Sequence, residues 1–250
     1  MGVRCEREGN ANVVILDWPE QRNAMGPDEV LEFASVLKAA ADDPAVHGVV
    51  ITGNGAFCSG GNLKGAASRS GMPEEERRTI VYGAFQNMIR AVIGVPVPTV
   101  AAIDGPAIGM GFDIALACDS RFIGPGGWCL QGWGRVGFAP GTGGEWLLRL
   151  QAPDLLWRLL EEQPKIDASL AKEWRLAEPS APLTARQRAI QRINRLTPMS
   201  RDALESYVEL SRMELRRGLE EHLEVAVRNQ LKLLASPAIK ARIAQVLKKG

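Results

Sequence analysis

The sequence predicts an α/β fold: a parallel sheet covered by helices on both faces, followed by a mostly helical C-terminal part. Three observations support this. Residues 46–52 and 97–103 are apolar runs of strand length, which suits strands buried on both faces. Helical patterns alternate with them, as in right-handed βαβ units. From Glu145 onward nearly every segment carries helical periodicity instead.

Residues 13–16 are a short β-branched run, with 3–7 as its hairpin partner. The turn-rich stretch Trp18-Pro-Glu-Gln-Arg-Asn-Ala-Met follows. A helix is expected over 27–42, with Pro27 in its first turn and a stripe of Val30, Leu31, Ala34, Val36 and Leu37. The strand at 46–52 leads into a Gly-rich loop that runs to Gly65. A helix over 73–93 opens with acidic residues that suit the positive end of its dipole. A strand at 97–103, a short apolar helix at 108–117 and a strand at 121–123 complete the alternation. In the second half Pro179, Pro182 and Pro198 mark helix ends. Helical stripes there cover 183–196, 201–216, 219–234 and 238–248. The break between Asp167 and Pro182 separates a core, residues 1–180, from a helical region, residues 181–250.

A chain of 250 residues suits one large domain, or a domain with a small appendage, able to bury a core without disulfides. Lys plus Arg total 30 against 29 for Asp plus Glu, so nothing in the charge points to nucleic acid or an anionic membrane as partner. Cys5, Cys58, Cys118 and Cys129 form no CxxC pair and no zinc spacing. Scattered cysteines, no signal-like N-terminus and no membrane-length apolar stretch make the cytoplasm the expected location.

Two glycine-rich turns carry the chemistry. Gly53-Asn-Gly-Ala-Phe-Cys-Ser-Gly-Gly-Asn-Leu follows the strand ending at Thr52. Asp104-Gly-Pro-Ala-Ile-Gly-Met-Gly-Phe-Asp follows the strand ending at Ile103. Both lie at strand C-termini, where parallel sheets bind ligands. A helix start after the second turn aims free N–H groups into the crevice. Two such turns could direct two donors at one oxygen, as an oxyanion hole does. Each turn alone reads equally well as a tight βα connection. Neither is a phosphate loop, because no Gly-Lys-Ser/Thr follows.

With their neighbours these turns resemble the signatures of the crotonase (enoyl-CoA hydratase/isomerase) superfamily. Pro19-Glu-Gln-Arg-Asn-Ala-Met resembles its first CoA-contacting turn. The segments beginning at Thr52 and Pro98 resemble its two oxyanion segments, and Phe138-Ala-Pro-Gly-Thr-Gly-Gly resembles the turn after them. The similarity runs over roughly residues 10–180. It implies a crotonase-like ββα spiral core that binds an acyl-CoA, with a helical C-terminal trimerisation region. A homotrimer or a dimer of trimers is implied by analogy. No metal and no redox cofactor is implied, since coenzyme A is part of the substrate.

Carried over residue by residue, the resemblance assigns the oxyanion amides to Gly61 and to Met110, which follows Gly109. Backbone carbonyls near Ala24 and Ser59 would face the adenine end of CoA, and Arg22 its phosphates. The first of the family's two catalytic glutamates maps onto Asp113. The second maps onto Trp133, which cannot move a proton. One carboxylate favours isomerisation over hydration, with Asp113 as the single acid/base and Trp133 drying the site and raising its pKa. Relatives with dehalogenase activity also carry Trp there, but their nucleophilic aspartate falls on Gly141.

Other residues point elsewhere. Glu145 reads as a helix-terminus charge, and Asp119 and Asp104 as structural acids. Arg135 would pair with a substrate carboxylate or a structural acid. His47 and His222 lie away from the motifs. Lys240, Lys248 and Lys249 are candidates for CoA phosphates, more simply read as a solvated face, and the loop from Lys64 to Met72 should shape the acyl pocket. Two rival readings remain. One is a catalytically weak acyl-CoA-binding paralogue. The other is a different reaction of the same apparatus, such as decarboxylation or C–C hydrolysis. RNA binding is disfavoured, because helix 27–42 holds only Lys38 among Asp28, Glu29, Glu32 and Asp42. The stripe of Arg186, Arg188, Arg192 and Arg195 reads as an intersubunit or solvated face.

Overall fold

The structure, a computed structural model, describes residues 2–63, 65 and 71–249, leaving aside the side chains of 240, 243 and 246–249. Its strands are β1 (Gly2–Glu8), β2 (Ala11–Asp17), β3 (Gly48–Gly53), β4 (Thr99–Ile103), β5 (Pro106–Ile108), β6 (Ser120–Ile123), β7 (Trp128–Leu130) and β8 (Glu178–Pro179). The main sheet runs β1-β2-β3-β4-β6-β8. The β1–β2 hairpin is antiparallel, and every other pairing in the sheet is parallel. A second, two-stranded parallel sheet joins β5 to β7.

Side chains alternate across a strand, so each central strand feeds two cores. Val14, Leu16, Val49, Ile51, Ala101 and Ile103 pack under the helices Pro27–Asp42, Gly83–Gly94 and Met110–Ala117. Val13, Ile15, Val50, Val100 and Ala102 face the other way, onto Ala185, Ala189 and Ile193 of the helix Ala185–Asn194. The apolar runs thus mark strands covered on both sides, as expected. The first helix of the 181–250 region forms one of the two covering layers.

Several details differ from the sequence reading. In helix Pro27–Asp42, Phe33 is inside and Leu31 is 54% exposed, so the stripe turns one position from that expected. The helix expected at 108–117 begins at Met110, because residues 106–108 extend to pair with β7. The helix expected at 73–93 is three consecutive pieces, Glu74–Glu76, Arg77–Tyr82 and Gly83–Gly94, the middle one a π-helix. The second half is not wholly helical, since Glu178–Pro179 adds a last strand to the sheet edge. Asp104 does more than order its own turn: it accepts from the amides of Ala185 (2.7 Å) and Arg186 (3.1 Å), capping a helix far away in sequence.

The helix expected over 201–216 breaks at Arg212, between Arg201–Ser211 and Met213–Ala235. Arg212 is 3% exposed. It donates to both oxygens of Asp119 (2.8 and 2.5 Å) and to the carbonyls of Ile93 (2.7 Å) and Val95 (2.5 Å). Asp119 also accepts from the amide and hydroxyl of Thr99, which holds the start of β4. Burial pushes the Asp119 carboxyl up, but its bonds to Arg212 and Thr99 outweigh this and leave it below the usual carboxylate range. Among the described residues no helix is long and apolar enough to cross a membrane.

Removing one partner of a buried pair leaves the other charge stranded. Asp119→Ala should therefore lower the free energy of unfolding by roughly 3–5 kcal/mol, measured by urea titration at neutral pH.

Candidate active site

The two glycine turns lie side by side because their backbones touch. The amide of Cys58 donates to Pro106 O (3.0 Å), and that of Ile108 to Cys58 O (2.9 Å). A Cβ on Gly105 would stand 1.9 Å from Gly55 O, and one on Gly111 would stand 2.1 Å from Cys58 O. Only glycine permits either approach. Gly60 and Gly109 take φ of 102° and 55°, left-handed values that reverse each turn. The turn at 22–25 zips onto the first: Ser59 N donates to Arg22 O (3.0 Å), Met25 N to Gly60 O (2.9 Å) and Asn62 N to Met25 O (2.9 Å).

This bonding leaves the amides of Gly61 and Met110 without an acceptor among the described residues. Met110 N is the first amide of its helix, so no carbonyl within that helix can accept from it. Both residues line one cavity of about 340 Å³, as do Ser59, Gly109 and Trp133. Five of the eight residues singled out by sequence therefore meet at one place. Arg22 and Ala24 flank the cavity on the neighbouring turn rather than lining it. Arg22 is exposed and forms no ion pair among the described residues.

Asp113 is the exception that matters most. It does not line this cavity. Its carboxylate lies behind Trp133 and Thr142, 3% exposed. Oδ2 accepts from Trp133 Nε1 (3.0 Å) and from Thr142 Oγ1 (2.5 Å). A Cβ on Gly144 would stand 1.9 Å from Asp113 Oδ1, so the carboxylate is pressed against bare backbone. Burial pushes the carboxyl up to about 7, against the two hydrogen bonds that favour its charged form. Trp133 is one of those donors, so its direct bond lowers this pKa rather than raising it.

The link from Asp113 to the cavity is Thr142, which lines the cavity and donates to the carboxylate from within the Phe138–Gly144 motif. Gln86 and Gln230 hold the loop before it: Gln86 Nε2 donates to Gly141 O (3.3 Å) and Leu223 O (2.8 Å), and Gln230 Nε2 to Ala139 O. Lone glutamines on helices carry no motif, so only packing reveals them. Arg77, Tyr82 and Phe85 also line the cavity and were not foreseen. Arg135 lies at its wall and donates to Gln163 O (2.9 Å), with no carboxylate partner among the described residues.

The remaining candidates lie elsewhere. Glu145 pairs with Arg149 and with His222 Nε2 (3.2 Å), and His222 stacks on Trp146. His47 does not line the cavity. The side chains of Lys240, Lys248 and Lys249, and residues 64 and 66–70 of the expected acyl-pocket loop, lie outside the described residues. Among the described residues no group of His, Cys, Asp or Glu is placed to hold a metal ion.

The raised Asp113 pKa makes a stability prediction. The folded chain holds this proton more tightly than the unfolded chain, so the group stabilises the fold fully below about pH 4 and loses that contribution as pH rises through about 7. Between roughly pH 4 and pH 8 the wild type should lose on the order of 2–4 kcal/mol more than Asp113→Asn, by urea unfolding at each pH. Equal slopes for the two proteins would refute the assignment.

A family model described as "Enoyl-CoA hydratase/isomerase" matches residues 6–249. An enoyl-CoA isomerase/hydratase of Mycosarcoma maydis is 31% identical over 233 residues, 83% of this chain and 80% of that protein. A probable enoyl-CoA hydratase of Mycobacterium tuberculosis is 35% identical over 138 residues, 55% of this chain. The match spans only about half of that relative, 52% of its length. Among solved structures, an enoyl-CoA hydratase from Bacillus halodurans superposes with a TM-score of 0.90 at 21% identity, covering 98% of this chain and 100% of that one. One from a Polaromonas species superposes with a TM-score of 0.76 at 29% identity, covering 100% and 98%. The fold is therefore the crotonase fold, and the chain belongs to the enoyl-CoA hydratase/isomerase family.

Proposed function

We propose that this protein binds an acyl-CoA thioester and stabilises the enolate formed from it. The observation that carries the proposal is the pair of unpartnered amides, Gly61 and Met110, on the wall of one cavity. A thioester carbonyl oxygen placed between them would accept from both, and the bonds would strengthen as the oxygen gains negative charge. Ser59 and Ala24 lie toward the neighbouring turn, which suits the CoA end, and the exposed Arg22 suits a phosphate there. The cysteines are free, in keeping with a reducing compartment such as the cytoplasm. A homotrimer or dimer of trimers is the assembly we expect.

The chemistry we favour is double-bond isomerisation of an enoyl-CoA, with Asp113 as acid/base acting through Thr142. Thr142 Oγ1 takes the α-proton as its own proton passes to Asp113 Oδ2, and the C–H electrons flow into the thioester as a dienolate. The steps reverse to deliver the proton at the γ-carbon, so the double bond moves and no proton is gained or lost. A carboxyl that titrates near 7 is suited to both halves of this exchange. Hydration would further require a group to orient water, and Trp133 fills the place where a second carboxylate would do so.

A second reading rests on a specific observation. Asp113 accepts two hydrogen bonds and has no direct face on the cavity. If that arrangement is static, the protein holds acyl-CoA without turning it over. Decarboxylation and C–C hydrolysis would use the same two amides.

Two experiments separate these readings. Gly61→Pro deletes one donor at a position where an added Cβ meets nothing within 4 Å. It should lower kcat on the best enoyl-CoA by about 100-fold or more with an unchanged melting temperature. Full activity in this variant would sink the oxyanion assignment. Thr142→Val and Asp113→Asn should each slow isomerisation by about 100-fold, and the rise of wild-type kcat through about pH 7 should vanish in Asp113→Asn. Micromolar binding of acyl-CoA with no turnover of any enoyl thioester by the wild type would establish the holding role instead.

A further inference from the structure

The cavity wall carries a cationic site that the proposed chemistry does not use. Arg77 lines the cavity, and its Nε is shut off from solvent with no acceptor among the described residues. Its neighbour Arg78 pairs with Glu224, whereas Arg77 pairs with no carboxylate among the described residues. Among the described residues no Asp or Glu lines the cavity, and the sequence of residues 64–70 contains Lys64 and Arg69 but no acid. Arg77 is half-buried, and a buried guanidinium N–H left without an acceptor is costly, so an acceptor is expected to come from a ligand in the cavity.

A second donor stands beside it. Tyr82 lines the same cavity, is 9% exposed, and its hydroxyl has no hydrogen-bond partner among the described residues. Burial pushes the Tyr82 phenol up, while the charge of Arg77 pulls it down, which puts the two within electrostatic reach. The backbone brings both onto the cavity side. Arg77–Tyr82 is a π-helix, whose i→i+5 bonding brings residues five apart onto one face. In a regular α-helix, at 3.6 residues per turn, the same two positions would diverge.

We propose that the acyl chain taken by this cavity ends in a second carboxylate, bound by the guanidinium of Arg77 and the hydroxyl of Tyr82. The inference rests on the thioester-binding reading and deepens it by naming the substrate class, the CoA thioesters of dicarboxylic acids. Arginine offers a carboxylate two parallel N–H donors, and the phenol adds a third. A phosphate of CoA is the other anion such a ligand carries. The surroundings favour the acyl end: Val81, Phe85 and Leu234 make this part of the wall apolar, whereas the free cation at the Ser59 side is the exposed Arg22.

The test is calorimetric binding of adipyl-CoA, hexanoyl-CoA and free CoA to the full-length protein. The first two have equal chain length and differ in the distal carboxylate. The wild type should bind adipyl-CoA at least about tenfold more tightly than hexanoyl-CoA. Arg77→Met should abolish this preference and leave hexanoyl-CoA and CoA within about twofold of wild type; Arg77→Lys should keep part of it, and Tyr82→Phe should reduce it. Two outcomes overturn the inference while leaving thioester binding intact. One is a wild type without preference for adipyl-CoA. The other is an Arg77→Met variant that loses hexanoyl-CoA and CoA as severely as adipyl-CoA, which would make the anion a phosphate. Failure of the wild type to bind any of the three would defeat the thioester reading, and this inference with it.

Discussion

Two stretches of backbone can touch only where neither carries a side chain between them, and this site is built on such a contact. The turns after β3 and β4 exchange hydrogen bonds between Cys58 and residues 106 and 108. They reach that distance because Gly105 and Gly111 present no Cβ to the opposing carbonyls. From this follow the direction of the helix that opens at Met110 and the place of its unpartnered first amide on the same cavity wall as Gly61. Peptide groups held this way need no reorganisation if charge appears on a ligand between them. Most residues could replace Gly61 without collision, since nothing lies near its missing Cβ. The glycines that matter sterically are those that let the turns meet.

Behind this frame lies a polar group that burial has made indecisive. Asp113 sits in its helix among apolar residues, yet accepts from Trp133 and Thr142. Desolvation favours the neutral carboxyl and the donors favour the carboxylate, leaving it near 7, where neither form dominates.

The C-terminal helices contribute by tying down what the sheet leaves loose. Gln86 and Gln230 hold the carbonyls of the loop that carries Thr142. Arg212 spans the gap between a helix break, the end of Gly83–Gly94 and the start of β4. Such buried polar links are worth little over apolar packing while intact, but breaking one leaves its partner buried and unpaired. They couple the cavity's far wall, including Gln230 and Leu234, to the sheet on which the turns stand.

The sequence by itself determined the parallel sheet, its covering on both faces and the two glycine turns. Each depends on local periodicity or on glycine at a fixed offset from a strand, and both are visible along one dimension. Five of the residues picked out by the family resemblance, Ser59, Gly61, Gly109, Met110 and Trp133, gather at one cavity. Tertiary structure alone decided the rest. It withdrew Asp113 behind Thr142, because the face a side chain presents depends on what packs against its helix. It broke a helix at Arg212 for the sake of a partner 93 positions away. It also put Arg77 and Tyr82 on the wall of that cavity, in a π-helix that no residue pattern announces. Local sequence specifies which elements form and where a backbone can bend, whereas access, burial and partnership belong to the packed assembly.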